Sequence, residues 1–238
     1  MNENLKKGLQ DAFEPPAPTR KKEFLNTIPQ LKIGNMSFLH LQSMYIPKYV
    51  WGIFSFVFGI ALVGGCFLEK DILWIVSALI PFVALCVIIE NARSDVYLMS
   101  ELEMTTRFSL KSVLLARMAI LGLSHLLLLF FLSPVCAAYN SMSIFQTGLY
   151  LALPYVLTTT IGLWVVRKTH GIEAMYLCMG VAIGISGMNL FVQHIFPVIY
   201  QMKYISIWLI SLIVLIALSI KEIRKNIKQT EELAWSLS

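Results

Sequence analysis

The chain has 238 residues, 57% of them hydrophobic and 14% charged, and its mean hydropathy is +0.71. That apolar share exceeds an ordinary soluble domain's and places the chain in a bilayer; short alternating segments are lacking, so a helix bundle is the credible spanning structure and a transmembrane barrel is not. The net charge of +5 reads as topology, with anionic lipid headgroups as a sufficient partner and no nucleic acid required.

Residues 1–47 form a polar leader, too long before the first apolar run to be a cleaved signal peptide. Asn4 to Phe13 can form a short helix, and Glu14-Pro-Pro-Ala-Pro-Thr19 interrupts it, because prolines remove donors and push the preceding residues out of the helical region. Arg20 to Leu25 opens a basic amphipathic piece. Met36 to Ile46 mixes apolar and polar residues and is expected to lie along the membrane surface, with Pro47 at the first position of the next helix.

Six apolar runs then approach or reach the roughly 20 residues that cross a hydrocarbon core, at about 49–68, 72–90, 113–132, 148–166, 174–192 and 204–220. The expected fold is therefore all-α, a polytopic membrane protein. Its parts are a leader with a surface helix (1–47), a six-helix transmembrane domain (48–222) and a cytoplasmic tail (223–238). Basic residues are retained inside, and with both termini cytoplasmic 17 of the 19 lysines and arginines lie there, Lys70 and Lys203 being the exceptions. The outer connections are expected to be short, about 3 residues after the first run and about 15 after the third.

The central parts of the runs carry no Asp, Glu, Lys or Arg, with Glu90 and Glu173 at their ends, which removes most of the support for an ion-coupled transporter, a proton pump or a voltage sensor. His125 lies in the third run, where hydrogen bonding to a neighbouring helix is the ordinary use of such a residue. No phosphate-binding loop, His-Glu-x-x-His or Gly-x-Ser-x-Gly occurs, and Ser124 and His125 are adjacent on one helix and so point apart. The chain is not expected to be an enzyme or to hold a metal. Cys66, Cys86, Cys136 and Cys178 have no metal or redox spacing; Cys66 and Cys136 both fall near the outer face, where a disulfide is conceivable.

Gly180 and Gly184 make a Gly-x-x-x-Gly face on the fifth run, extended by Gly187, and suit close helix packing within the bundle or against a second chain. Ser55, Gly59 and the Gly64-Gly65 pair do the same on the first. Toward the outer end of the fifth run, Asn189, Gln193 and His194 are candidates to line a translocation path, or to hydrogen-bond between helices.

Between the second and third runs lies a patterned polar stretch. At 100° per residue, Ser100, Glu103 and Arg107 fall on one polar line; Tyr97, Met104 and Phe108 fall on one apolar flank, and Leu98, Met99 and Leu102 on another. A helix resting on a membrane needs one apolar flank, whereas two suit a wedge between the bundle and a soluble partner; the pattern alone serves equally for an ordinary cytoplasmic connection. Ser109 is a plausible N-cap for the helix that follows.

The segment Glu101-Leu-Glu-Met-Thr-Thr-Arg-Phe-Ser-Leu-Lys-Ser-Val-Leu-Leu-Ala-Arg117 resembles the coupling-helix region of type-2 permeases of ATP-binding-cassette (ABC) exporters. The surrounding plan of residues 36–222 is similar too. The resemblance implies that Glu101, Glu103, Thr105, Thr106, Arg107 and Phe108 dock into a separate cytoplasmic ABC ATPase, which carries ATP and Mg. It further implies that two permease chains, identical or related, move together in export; the absence of buried charge favours an apolar or amphipathic substrate, and the expected location is a bacterial plasma membrane. The proline-rich leader is longer than that plan requires. It motivates an alternative, a membrane-anchored regulator whose leader sequesters a cytoplasmic factor.

Overall fold

The computed structural model describes residues 35–68, 72–96, 110–140, 142–169 and 171–236. Among these, the regular elements are α1 (Asn35–Tyr45), α2 (Lys48–Leu68), α3 (Ile72–Val96), α4 (Leu110–Asn140), α5 (Ile144–Lys168), α6 (Ile172–Ile195), short 3₁₀ turns at Pro197–Tyr200 and Met202–Tyr204, and α7 (Ile205–Ser236). The chain divides into two compact units, Met1–Phe38 and Leu39–Ser238, and the helix bundle belongs to the second.

These stretches are helical because a helix satisfies every backbone N–H and C=O within its own segment, the condition that lipid imposes. Five are long and apolar enough to cross a membrane: Ile72–Glu90, Ser112–Tyr139, Ile144–Lys168, Ile172–Ile195 and Met202–Gln229; Lys48–Gly64 is a shorter apolar stretch. The ends are punctuated locally. Ser143 caps α5 by accepting from Gln146 N at 3.2 Å, and Arg167 and Lys168 sit in its last turn, where the helix dipole favours positive charge. Gly171, at φ 73°, opens α6 in a left-handed conformation that only glycine adopts without cost.

From α2 to α7 the helices alternate in direction, so α3 and α6 run antiparallel and α5 and α7 parallel. Tyr49 at the start of α2 meets Glu90 near the end of α3, Asn189 late in α6 meets Ser77 early in α3, and Arg167 at the end of α5 meets Glu222 late in α7. The bundle thus has a charged end, holding Glu90, Arg167 and Glu222, and an aromatic end, holding Trp74, Tyr150, Tyr200 and Trp208.

Helix α3 is the centre, packing on α2, α4, α5 and α6. Of its apolar stretch 72% is buried, against 11% for α6 and none for α7, so the last two pack through one side and leave much of their apolar surface outward. A water-exposed patch of that extent is foreign to a soluble monomer and ordinary for a helix against lipid. The main core joins Val50, Val57, Leu73, Ile80, Leu121 and Leu132 with the aromatic end; a smaller one joins Leu85, Ile88, Val165 and Cys178. At the smaller core the Ile88 side chain of α3 lies directly over Gly162 of α5, where an added Cβ would overlap Ile88 Cδ1.

One expectation is corrected. The connection of about 15 residues after the third run is nearly all helix, since α4 continues to Asn140 and α5 begins at Ile144. Pro134 deprives the Phe130 carbonyl of its helical donor, and the Ser133 hydroxyl donates to that carbonyl at 3.1 Å, so the helix passes through the proline. At the other end of the chain, α7 runs without a break from Ile205 to Ser236, through the Lys221–Lys228 stretch.

Candidate functional site

The aromatic end is the most organised polar site in the bundle. Pro81 in α3 and Pro154 in α5 each remove the helical donor of the carbonyl four residues earlier, those of Ser77 and Tyr150. These two residues join a closed circuit of hydrogen bonds. Ser77 Oγ donates to the Tyr150 carbonyl at 3.5 Å, and the Tyr150 hydroxyl donates to the Tyr200 carbonyl at 2.7 Å. The Tyr200 hydroxyl donates to Asn189 Oδ1 at 3.3 Å, and Asn189 Nδ2 returns to Ser77 Oγ at 2.7 Å.

Gln146 reinforces the circuit by donating to both the Tyr150 hydroxyl and the Tyr200 carbonyl at 3.0 Å, and Ser186 Oγ ties α6 to the Ala78 carbonyl at 2.7 Å. Around it the rings of Trp74, Tyr150, Tyr200 and Trp208 meet at centroid separations of 4.6–5.3 Å, edge to face except for the tilted Tyr200–Trp208 pair. Burial, with the neighbouring Tyr150 phenol adding to it, pushes the Tyr200 hydroxyl up to about 12, so it remains a neutral donor at physiological pH.

Halfway down the bundle, His125 of α4 is fully buried. Its Nδ1 lies 3.0 Å from the Tyr155 hydroxyl on α5, and its ring meets Phe54 of α2 at 4.6 Å. This is the interhelical bond expected of such a histidine. Its Nε2 has no partner among the described residues.

At the charged end, Tyr49 donates to Glu90 at 3.0 Å, and Glu90 is buried. Arg167 and Lys225 reach Glu222 at 2.9 and 3.3 Å, while Asn226 donates to the Leu163 carbonyl at 3.4 Å. Thr160 and Ser219 also bond across α5 and α7. These pairs add to the apolar packing of Ile205, Trp208 and Leu212 in fixing the long α7 to α5 and its neighbours.

Among the described residues, those expected to act at a site do not converge on one place. Asn189 belongs to the polar circuit, with both amide atoms engaged, which is the interhelical hydrogen-bonding role. Gln193 is half-buried and His194 is exposed, and neither takes part in that circuit. Gly180, Gly184 and Gly187 face outward, with nothing within 4 Å of an added Cβ, so the described helices of this chain do not occupy that face. Gly59 is likewise open and lines an apolar groove of about 570 Å³ on α2 with Ser55, Phe56, Ile60, Val63 and Gly64. Glu101, Glu103, Thr105, Thr106, Arg107 and Phe108 lie outside the described residues, as does the side chain of Cys66 and with it any Cys66–Cys136 pairing. Among the described residues no cluster of metal-ligating side chains occurs.

Sequence reasoning did not find Ser77, Gln146, Tyr150, Tyr155 or Tyr200. One signal for the circuit was present, since Ser77 and Tyr150 each precede a proline by four residues. No protein-family model, curated protein or solved structure matches the chain.

Proposed function

We propose that this protein is the permease subunit of an ABC exporter, working with a separate cytoplasmic ATPase that binds ATP and Mg. The observation that carries the reading is the resemblance of residues 101–117 to a coupling helix. Their place in the chain supports it: they connect the end of α3 to the start of α4 beside the charged end, the end that retained basic residues would keep in the cytoplasm. In this reading both termini are inside. Helix α2, whose 21 residues give about 31 Å at 1.5 Å per residue, is then the sixth span across a core of about 30 Å.

The outward face of α6, with Gly180 and Gly184 open, is where a second permease chain would pack, and the remainder of α6 and α7 meets lipid. The spans hold no charged group at mid-depth, which suits an apolar or amphipathic cargo moved at the expense of ATP rather than of an ion gradient. The membrane is then the plasma membrane of a bacterium.

The test is co-expression with the ABC ATPase encoded beside it, followed by purification through a tag on this chain alone. The permease reading expects the ATPase to co-purify and its hydrolysis to rise with the permease present. Absence of any stable ATPase partner overturns it. Deleting residues 2–35 separates it from the regulator alternative: a permease keeps most of its transport, and a sequestering regulator loses its function.

A further inference from the structure

We propose that the Ser77–Tyr150–Tyr200–Asn189 circuit is a latch that closes the aromatic end of the bundle, and that Pro81 and Pro154 are the hinges on which that end opens. The inference concerns the bundle itself and does not depend on what the protein transports.

Three observations carry it. First, the circuit closes on itself through α3, α5, α6 and the 3₁₀ turn at Pro197–Tyr200 that follows α6, so it ties together three helices far apart in sequence. Second, the residues of α3 and α5 in the circuit are the two whose carbonyls the prolines leave without a helical donor. A helix lacking that bond bends at small cost, and a circuit anchored at the same turn senses the bend. Third, the contacts are unequal. The link between α3 and α5 is the long one, 3.5 Å from Ser77 Oγ to the Tyr150 carbonyl, whereas Ser77 to Asn189 and Tyr150 to Tyr200 are 2.7 Å. Separation therefore begins between α3 and α5. Helix α6 stays with α3 through Asn189 and Ser186, and the 3₁₀ turn stays with α5 through Gln146 and Tyr150. The circuit's other bond along that line of parting is Tyr200 to Asn189, itself a long 3.3 Å.

The two longest hydrogen bonds of the circuit thus lie between α3 and α5 and between α6 and the 3₁₀ turn, lines that the Trp74–Tyr200 ring contact, the shared apolar core and the chain running from α6 into the turn also cross.

The experiment is hydrogen–deuterium exchange on the full chain in lipid nanodiscs. Tyr200→Phe removes the hydroxyl that reaches Asn189 and keeps the ring and the carbonyl that Tyr150 and Gln146 use. It should speed exchange in residues 197–204 and also in the first turns of α3 and α5, by roughly two- to tenfold, the range set by the net worth of one hydrogen bond. Adding Pro81→Ala and Pro154→Ala should return α3 and α5 to near the wild-type rate while 197–204 stays fast. An increase confined to 197–204, or one in α3 and α5 that the proline replacements leave unchanged, overturns the proposal. If Tyr200→Phe does not insert, Asn189→Leu cuts that bond together with the one to Ser77, and the response of α3 and α5 to the proline replacements then decides.

Discussion

Replacing Gly162 by alanine tests the central packing directly. The new Cβ would lie 2.1 Å from Ile88 Cδ1, 2.9 Å from Cγ1 and 3.4 Å from Cγ2. The Cδ1 contact alone could be relieved by rotating the end of the side chain. The Cγ1 contact cannot, because it is fixed by χ1 of a β-branched residue that is 1% exposed. Either χ1 leaves its rotamer or α3 and α5 separate, and overpacking of this kind typically costs about 1–3 kcal/mol. Alanine also gains about 0.5–1 kcal/mol in helix propensity over glycine, so the net loss should be about 0.5–2 kcal/mol. Thermal unfolding in detergent should show Gly162→Ala below the wild type. Gly180→Ala, with open space around it, should be neutral or slightly more stable. Ile88→Ala made together with Gly162→Ala should recover more than the separate effects predict, a coupling of about 0.5–3 kcal/mol. A Gly162→Ala protein as stable as Gly180→Ala, with no coupling to Ile88, would refute the close approach of α3 and α5.

Tyr155→Phe strands His125 Nδ1 in the interior and should destabilise by about 1–3 kcal/mol in the same assay, whereas the double change His125→Phe with Tyr155→Phe should recover much of that loss. Arg167→Ala should cost no more than about 1 kcal/mol, because its pairing with Glu222 is partly open to solvent, and the loss should shrink in high salt. Bulky replacements at Gly180 and Gly184 should leave the unfolding temperature unchanged and abolish any dimer measured by crosslinking in membranes; persistence of that dimer excludes this face as its interface.

The spans were legible because hydropathy is a property of long windows: the run 72–90 and the helix Ile72–Val96 begin at the same residue, and the runs at 148–166 and 174–192 lie within α5 and α6. Helix ends were less so. Pro134 reads as a stop, and only the Ser133 hydroxyl on the Phe130 carbonyl explains why α4 goes on. A sequence does not print that local exchange of donors. Asn189 was visible as a polar group near a span end, but its partners Ser77 and Tyr200 come from other elements, 112 and 11 residues away. The Gly180–Gly184 face was visible as a packing motif, while its outward direction is set by which side of α6 lies against α3, α5 and their neighbours.

The coupling of residues 101–108 to an ATPase is the claim on which the functional account stands, and stimulated ATP hydrolysis in the reconstituted complex measures it most directly. Phe108→Ala removes the apolar anchor of the expected docking element and should weaken partner binding by about 2 kcal/mol, a factor of roughly 30. Glu103→Ala and Arg107→Ala should leave the permease folded, since an i,i+4 pair contributes about 0.2–0.5 kcal/mol. The account predicts that these variants insert and unfold like the wild type and lose most stimulated hydrolysis. Normal stimulated hydrolysis and normal partner binding in Phe108→Ala and Glu103→Ala would contradict it, and residues 101–117 would then be an ordinary connection between two membrane helices.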